Sequence, residues 1–296
     1  SHELWGCLKL LDNNTKMSAF EIETYLNSLP EDILNIDISC ERLKSLPDLT
    51  RFKNLKVLTC DNNQLTSLPT LPQSLEVLCC FNNQLTSLPT LPQSLEVLYC
   101  STNQLTLLPT LPQNLKELYC YNNQLTSLPI LPQSLEVLYC YNNKLTSLPT
   151  LPQNIVALYC ENNQLTSLPT LPHNLEVLEC FDNQLTYLPT LPQNLRILFC
   201  NDNQLTLLPT IPQNLEYFDC NNNPIYEIVN NNNLIEIKQI IKTLNEFCYL
   251  YYSLKLRNWL WEKVLKHIIE KKYHPSYLIE NLGDDDDIDA VLNNWK

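Results

Sequence analysis

Apolar and polar positions repeat along this chain every 20 residues. The stretch Leu75–Ser87 reads LEVLCCFNNQLTS and runs on into Leu88-Pro-Thr-Leu-Pro-Gln. Leu95, Leu115, Leu135, Ile155, Leu175, Leu195 and Leu215 each open a further copy. In one copy Leu95, Leu98, Cys100, Leu105 and Leu108 form the apolar set. The run around Leu98 predicts a strand with Leu98 and Cys100 turned inward and Val97, Tyr99 and Ser101 turned outward. One such unit has too little apolar surface to fold alone. Stacked copies bury it together, so the period predicts a solenoid held by nearest-neighbour contacts. Asn103 recurs as Asn63, Asn83, Asn123, Asn143, Asn163, Asn183, Asn203 and Asn223. An amide offers both donors and acceptors, so these positions predict an asparagine ladder that satisfies backbone groups of adjacent coils.

The flanks of the repeat follow different patterns. Eight L-P-x-(L/I)-P segments, from Leu68–Pro72 to Leu208–Pro212, hold 16 of the 20 prolines. Proline fixes φ and lacks a donor, which predicts extended, polyproline-like stretches opposite the strands. Residues 1–32 predict a helical amino-terminal cap. Ser18 and Glu21 fit a capping box, followed by Phe20, Ile22, Tyr25, Leu26 and Leu29. The first coil is irregular, with Ile33, Ile36, Ile38, Leu43 and Leu46 at core positions and Glu41 where asparagine is expected. About ten coils are expected over 33–228. From 229 to 296 the period becomes helical. One amphipathic helix is expected from Leu234 to Cys248 and a second from Leu254 to Lys272, stopped by His274-Pro275. Asp284–Asp287 suits a helix start better than a metal site, because acidic groups complement the dipole there.

The skeleton L-x-x-L-x-C-x-x-N-x-L-x-x-L-P-x-(L/I)-P resembles a leucine-rich repeat, with cysteine at a core position usually held by leucine. The L-P-x-L-P variant is similar to the short repeats of bacterial effectors. The resemblance implies a curved parallel sheet on a concave face, an extended convex side and helical caps at both ends. The tail, through Trp259-Leu-Trp261, Tyr273–Leu278 and Asp286–Trp295, resembles the carboxy-terminal segment of mimivirus-like giant-virus proteins. That likeness implies an origin and no chemistry.

Composition narrows the function. The chain has 296 residues and a formal charge of −13, which argues against nucleic acid as a partner. No apolar run is long enough to span a bilayer, and residues 1–30 lack the features of a signal peptide. An intracellular protein with reduced thiols is expected, although Asn13-Asn14-Thr15 has the form of a glycosylation sequon. Cys60 to Cys220 form an inward column of equivalent positions. No unique disulfide pairing follows from it, and a linear column does not converge on a tetrahedral metal. With 2 glycines the chain has no phosphate-cradling loop. His2, His173, His267 and His274 show no metal-ligand spacing, and no cofactor is implied. Cys248 with His267 lacks an orienting third group. Some L-P-x-L-P effectors carry a ubiquitin-ligase domain with a Cys-x-Asp nucleophile. Cys180-Phe-Asp182 and Cys200-Asn-Asp202 match those letters but occupy the inward column, and the tail is short for such a domain.

The outward columns carry the functional expectation. One reads Thr59, Cys79, Tyr99, Tyr119, Tyr139, Tyr159, Glu179, Phe199 and Asp219. The next reads Asp61, Phe81, Ser101, Tyr121, Tyr141, Glu161, Phe181, Asn201 and Asn221. Aromatic side chains favour strands and stack between coils, which is one reading. The other is an exposed strip for a protein partner: Phe81, Tyr99, Tyr119, Tyr121, Tyr139, Tyr141, Tyr159 and Phe199 beside Glu161, Glu179 and Phe181. The sequence therefore suggests a monomeric, non-enzymatic binding scaffold. A ubiquitin-ligase-like effector and a particle-associated structural protein are the alternatives.

Overall fold

A computed structural model describes residues 19–229 and 233–266. Ten strands of three residues each form one parallel sheet in sequence order: β1 Asn35–Asp37, β2 Val57–Thr59, β3 Val77–Cys79, β4 Val97–Tyr99, β5 Glu117–Tyr119, β6 Val137–Tyr139, β7 Ala157–Tyr159, β8 Val177–Glu179, β9 Ile197–Phe199 and β10 Tyr217–Asp219. Each pairs with the next in the register of the repeat, so Leu98 faces Leu118 and Tyr99 faces Tyr119. The chain divides into two compact units, Ser1–Lys238 and Gln239–Lys296.

The repeat pattern explains the core. Leu95, Leu98, Cys100 and Leu105 are fully buried, as are their counterparts in the coils on either side. Burial of one leucine contributes about 1.5–3 kcal/mol, and every coil repeats the gain only because a neighbour covers it. In the first coil Ile36, Ile38 and Leu43 are buried, whereas Ile33 and Leu46, expected in the core, are half-buried. That coil has one strand neighbour where an interior coil has two.

Two polar ladders tie the coils together. Asn123 donates from Nδ2 to the carbonyls of Cys100, Cys120 and Tyr121 at 3.1–3.2 Å, and its Oδ1 accepts the Leu105 amide at 2.9 Å. The same pattern repeats at each asparagine of the column; Asn63, for example, accepts the amides of Glu41 and Leu43. The second ladder uses the residue before the first core leucine. Ser94 Oγ donates to the Leu75 carbonyl at 2.6 Å, and Asn114 Nδ2 to the Gln93 carbonyl at 3.0 Å. Between the strand and its asparagine the chain turns through a left-handed residue in every coil from Asn62 to Asn222, with φ of 50–54°. Asn or Asp fills this place throughout except at Thr102. The L-P-x-L-P segments contain no helix or strand.

The caps differ in part from expectation. Helix α1, Ala19–Ser28, buries Ile22 and Leu26, and the Arg51 guanidinium donates to the Leu26 carbonyl. Ser18 of the expected capping box lies outside the described residues. After a short helix α2, Tyr226–Val229, a single helix α3 runs from Leu234 to Leu260 and continues as a π-turn over Trp261–Leu265. Two helices were expected here. Nothing between Cys248 and Leu254 breaks a helix, since the stretch contains neither glycine nor proline, and loss of amphipathic spacing alone does not end one. His267, His274, Asp284–Asp287 and the tail motif from Tyr273 onward lie outside the described residues.

Candidate protein-docking face

The pleat of each strand turns its central leucine inward and its first and third residues outward. Parallel pairing in repeat register then sets equal positions of adjacent coils side by side. Four tyrosines become one continuous stack. The ring centroids lie 4.4 Å apart for Tyr99–Tyr119, 4.7 Å for Tyr119–Tyr139 and 4.1 Å for Tyr139–Tyr159. In the adjacent column Tyr121 and Tyr141 stack at 4.5 Å, and Tyr141 meets Tyr139 edge-on at 6.4 Å. All six rings are half-buried. Face-to-face stacking covers the flat surfaces of the inner rings, so the strip presents ring edges and hydroxyls outward.

The stacking reading of the aromatic columns is observed, and the stacked strip still has an outer surface. Tyr119 donates its hydroxyl to Glu117 Oε2 at 2.9 Å. Burial, then that carboxylate, push the Tyr119 phenol well above its ordinary range. Burial pushes Tyr99 and Tyr139 up as well. These three phenols are neutral at physiological pH. Phe81, Phe181 and Phe199 are half-buried on the same face and, among the described residues, join neither stack.

The acidic end differs from expectation. Glu179 is half-buried, but Glu161, expected as part of the exposed strip, is 6% exposed. Its Oε2 has no hydrogen-bond partner. Burial, with Glu179 as a neighbouring charge, raises its carboxyl to about 7. The cause is steric: the larger Tyr141 and Phe181 occupy the same column in the coils before and after and wall the shorter side chain in. Asp61, at the other end of that column, also sinks, with Phe81 on one side and Ser39 of the first coil on the other. It is fully buried, its Oδ1 lacks a partner, and burial raises it to about 6. The sequence shows both residues in an outward column; their burial emerges only in the folded array.

The inward cysteines run from Cys60 to Cys220, all buried and free. Burial raises each thiol, to about 12 at Cys100 and Cys220. Cys180 and Cys200 belong to this column, and burial pushes both thiols up. Among the described residues no group of three His, Cys, Asp or Glu side chains is placed to hold a metal ion. Among the same residues no helix is long and apolar enough to cross a membrane. His173 is exposed, with Nδ1 at 3.3 Å from Gln153 Oε1. A charged row along the sheet was not anticipated. Lys56 pairs with Glu76 at 2.6 Å, Lys116 with Glu96 at 2.7 Å and Arg196 with Glu216 at 2.9 Å, each across one repeat. The 20-residue spacing of these opposite charges was the signal that could have disclosed it.

A family model for leucine-rich repeats (2 copies) matches residues 73–113 and 113–153. Among solved structures, YopM from Yersinia enterocolitica is 38% identical with a TM-score of 0.64, over 66% of this chain and 43% of that one. YopM from Yersinia pestis, described as a leucine-rich effector protein, is 40% identical with a TM-score of 0.56, over 64% and 60%. The functional domain of InlJ from Listeria monocytogenes, described as including a cysteine ladder, is 26% identical with a TM-score of 0.52, over 64% and 49%. The chain spans less than two thirds of the length of each. A comparison with curated protein sequences finds no match. These neighbours are bacterial, and they lend no support to the resemblance between the tail and giant-virus proteins.

Proposed function

We propose, on the premise that this chain is a leucine-rich-repeat solenoid, that it is a non-enzymatic scaffold that docks a protein partner on the tyrosine-bearing face of its sheet. The observation that carries this reading is the four-ring stack from Tyr99 to Tyr159, half-exposed and flanked by Tyr121 and Tyr141. A stacked tyrosine is held in one rotamer before any partner arrives. Its hydroxyl and edge can therefore enter an interface with little further loss of side-chain entropy. Strand spacing repeats those hydroxyls at about 4.8 Å, a period that suits the groups along an extended or helical segment. The cysteine ladder described for InlJ and the effector description of YopM are consistent with a scaffold whose core is thiol-lined and whose work is done by its surface.

The reduced, buried cysteine column favours action inside a cell, and the effector neighbour suggests a host cytoplasm. Nucleic acid is a poor partner for a chain of charge −13. The working form is a monomer. Ligase chemistry at Cys180 or Cys200 is disfavoured by their raised thiols. The test places a photo-crosslinking phenylalanine analogue at position 119 or 139, and as a control at the exposed Thr70 in an L-P-x-L-P segment. Crosslinks to a distinct protein from positions 119 and 139, reduced in the Tyr121→Ala/Tyr141→Ala background and missing from position 70, support the reading. Equal yields from both sides of the coil reject it.

A further inference from the structure

We propose that the end of the tyrosine ladder is a receptor for a single arginine side chain of the docked partner, seated between Tyr159 and Phe181 on the carboxylates of Glu161 and Glu179. This rests on the docking-face reading above and specifies the chemistry of the partner.

The argument begins with register. Tyr159 on β7 faces Glu179 on β8, and Glu179 faces Phe199 on β9. In the next column Glu161 lies between Tyr141 and Phe181. The Asn142 amide donates to the Glu161 carbonyl at 3.1 Å, and the Asn162 amide to the Phe181 carbonyl at 3.0 Å. Two coils thus form a checkerboard: Tyr159 and Glu161 on one, Glu179 and Phe181 on the other. Tyr159 spends one ring face on Tyr139 at 4.1 Å, and its column continues with a carboxylate instead of a ring. The stack ends there, with a ring face turned toward an acid.

Glu161 is the independent sign of a ligand. Its residue is more than nine-tenths buried, yet Oε2 has no partner. A buried polar oxygen without a hydrogen bond is costly and uncommon in a native structure. Burial, and then the nearby Glu179 carboxylate, disfavour ionisation of Glu161, and burial disfavours that of Glu179. A cation would supply the missing donor and remove the repulsion. The flat ring, the two acceptors and the restricted depth favour a planar guanidinium over a spherical ammonium. Guanidinium stacks on an aromatic face and donates two parallel bonds to carboxylate oxygens. A surrounding charge of −13 draws a basic segment toward the face.

The probe is the blocked peptide acetyl-Gly-Arg-Gly-amide, with lysine and citrulline versions, titrated into the full chain near pH 7.5. Binding is followed through amide resonances of the sixth to ninth coils. The arginine peptide should shift resonances around Glu161 and Glu179. Affinity should fall at least about tenfold in Glu161→Gln and in Glu179→Gln, because each removes one member of a charge-assisted pair. The lysine peptide should bind several-fold more weakly, and the citrulline peptide should leave the spectrum unchanged. Equal shifts with citrulline, equal affinity for lysine, or unaltered affinity in both glutamine variants overturns the proposal. Thermal unfolding of the variants confirms that they remain folded. If tyrosine-dependent crosslinking persists while the arginine peptide does not bind, the arginine seat fails and the docking face stands. If crosslinking is indifferent to the tyrosines as well, both fail.

Discussion

Single residues expose the strain in a nearly uniform repeat. Thr102 holds φ at 54°, where every equivalent coil from Asn62 to Asn222 has Asn or Asp. A β-branched side chain crowds the backbone in that region, and asparagine tolerates it. Asn82 also donates to the Asn62 side chain at 2.6 Å, whereas Asn122 reaches Thr102 Oγ1 only at 3.5 Å. Thr102→Asn should raise unfolding stability by about 1 kcal/mol, read from the urea midpoint. Glu161 gives a pH-dependent case. Its folded carboxyl sits at about 7, above the ordinary 4.5, with Glu179 and the thiols of Cys140, Cys160 and Cys180 as the titratable groups around it. The folded state therefore binds this proton more tightly than the unfolded chain. That contribution is fully present below the ordinary value and is lost as pH rises through about 7. Glu161→Gln should exceed wild type in stability near pH 8 by on the order of 1–3 kcal/mol and match it near pH 4. A constant difference across that range would show that burial does not set this proton.

At the scale of the element, a three-residue strand is too short to hold its coil in place by its own ladder. The asparagine that follows does much of that work. Asn123 satisfies carbonyls of two coils and an amide of the earlier one. Asn123→Ala should cost about 2–4 kcal/mol, because it leaves buried backbone groups unpaired at once. Gln124→Ala, beside it but exposed, should change stability by less than about 0.5 kcal/mol. Paired denaturation curves check both. The serine and asparagine ladder at positions such as Ser94 and Asn114 is the lesser counterpart, being more open to solvent.

At the scale of the whole molecule, contacts are local along the array: each strand meets only the strands before and after it. Stability is then a sum over neighbouring coils, and coils with one strand neighbour open more readily than those with two. The cysteine column reports this directly. Cys120 and Cys220 occupy equivalent buried positions, one in the middle of the sheet and one on its last strand's coil. In native buffer with a maleimide reagent, exposed Cys40 should react first, Cys220 slowly, and Cys120 only at denaturant concentrations that unfold the array. Mass mapping of modified peptides reads the order. Simultaneous labelling of Cys220 and Cys120 would mean that the solenoid opens as one unit.

The sequence by itself determined the coil, the inward leucines and cysteines, and the asparagine ladder, because each depends on a neighbour exactly one repeat away. It also placed Tyr99 to Tyr159 on one outward column, since a pleated strand alternates faces. It did not disclose that Glu161 and Asp61 sink into that face or that α3 runs unbroken to Leu260, and it offered stacking of the tyrosines as only one of two readings. Those features depend on how tall the side chains of adjacent coils stand and how closely their rings approach. Distances of 4.1–4.7 Å between stacked rings, and a carboxylate oxygen left without a donor, arise only when strands are brought into register in three dimensions.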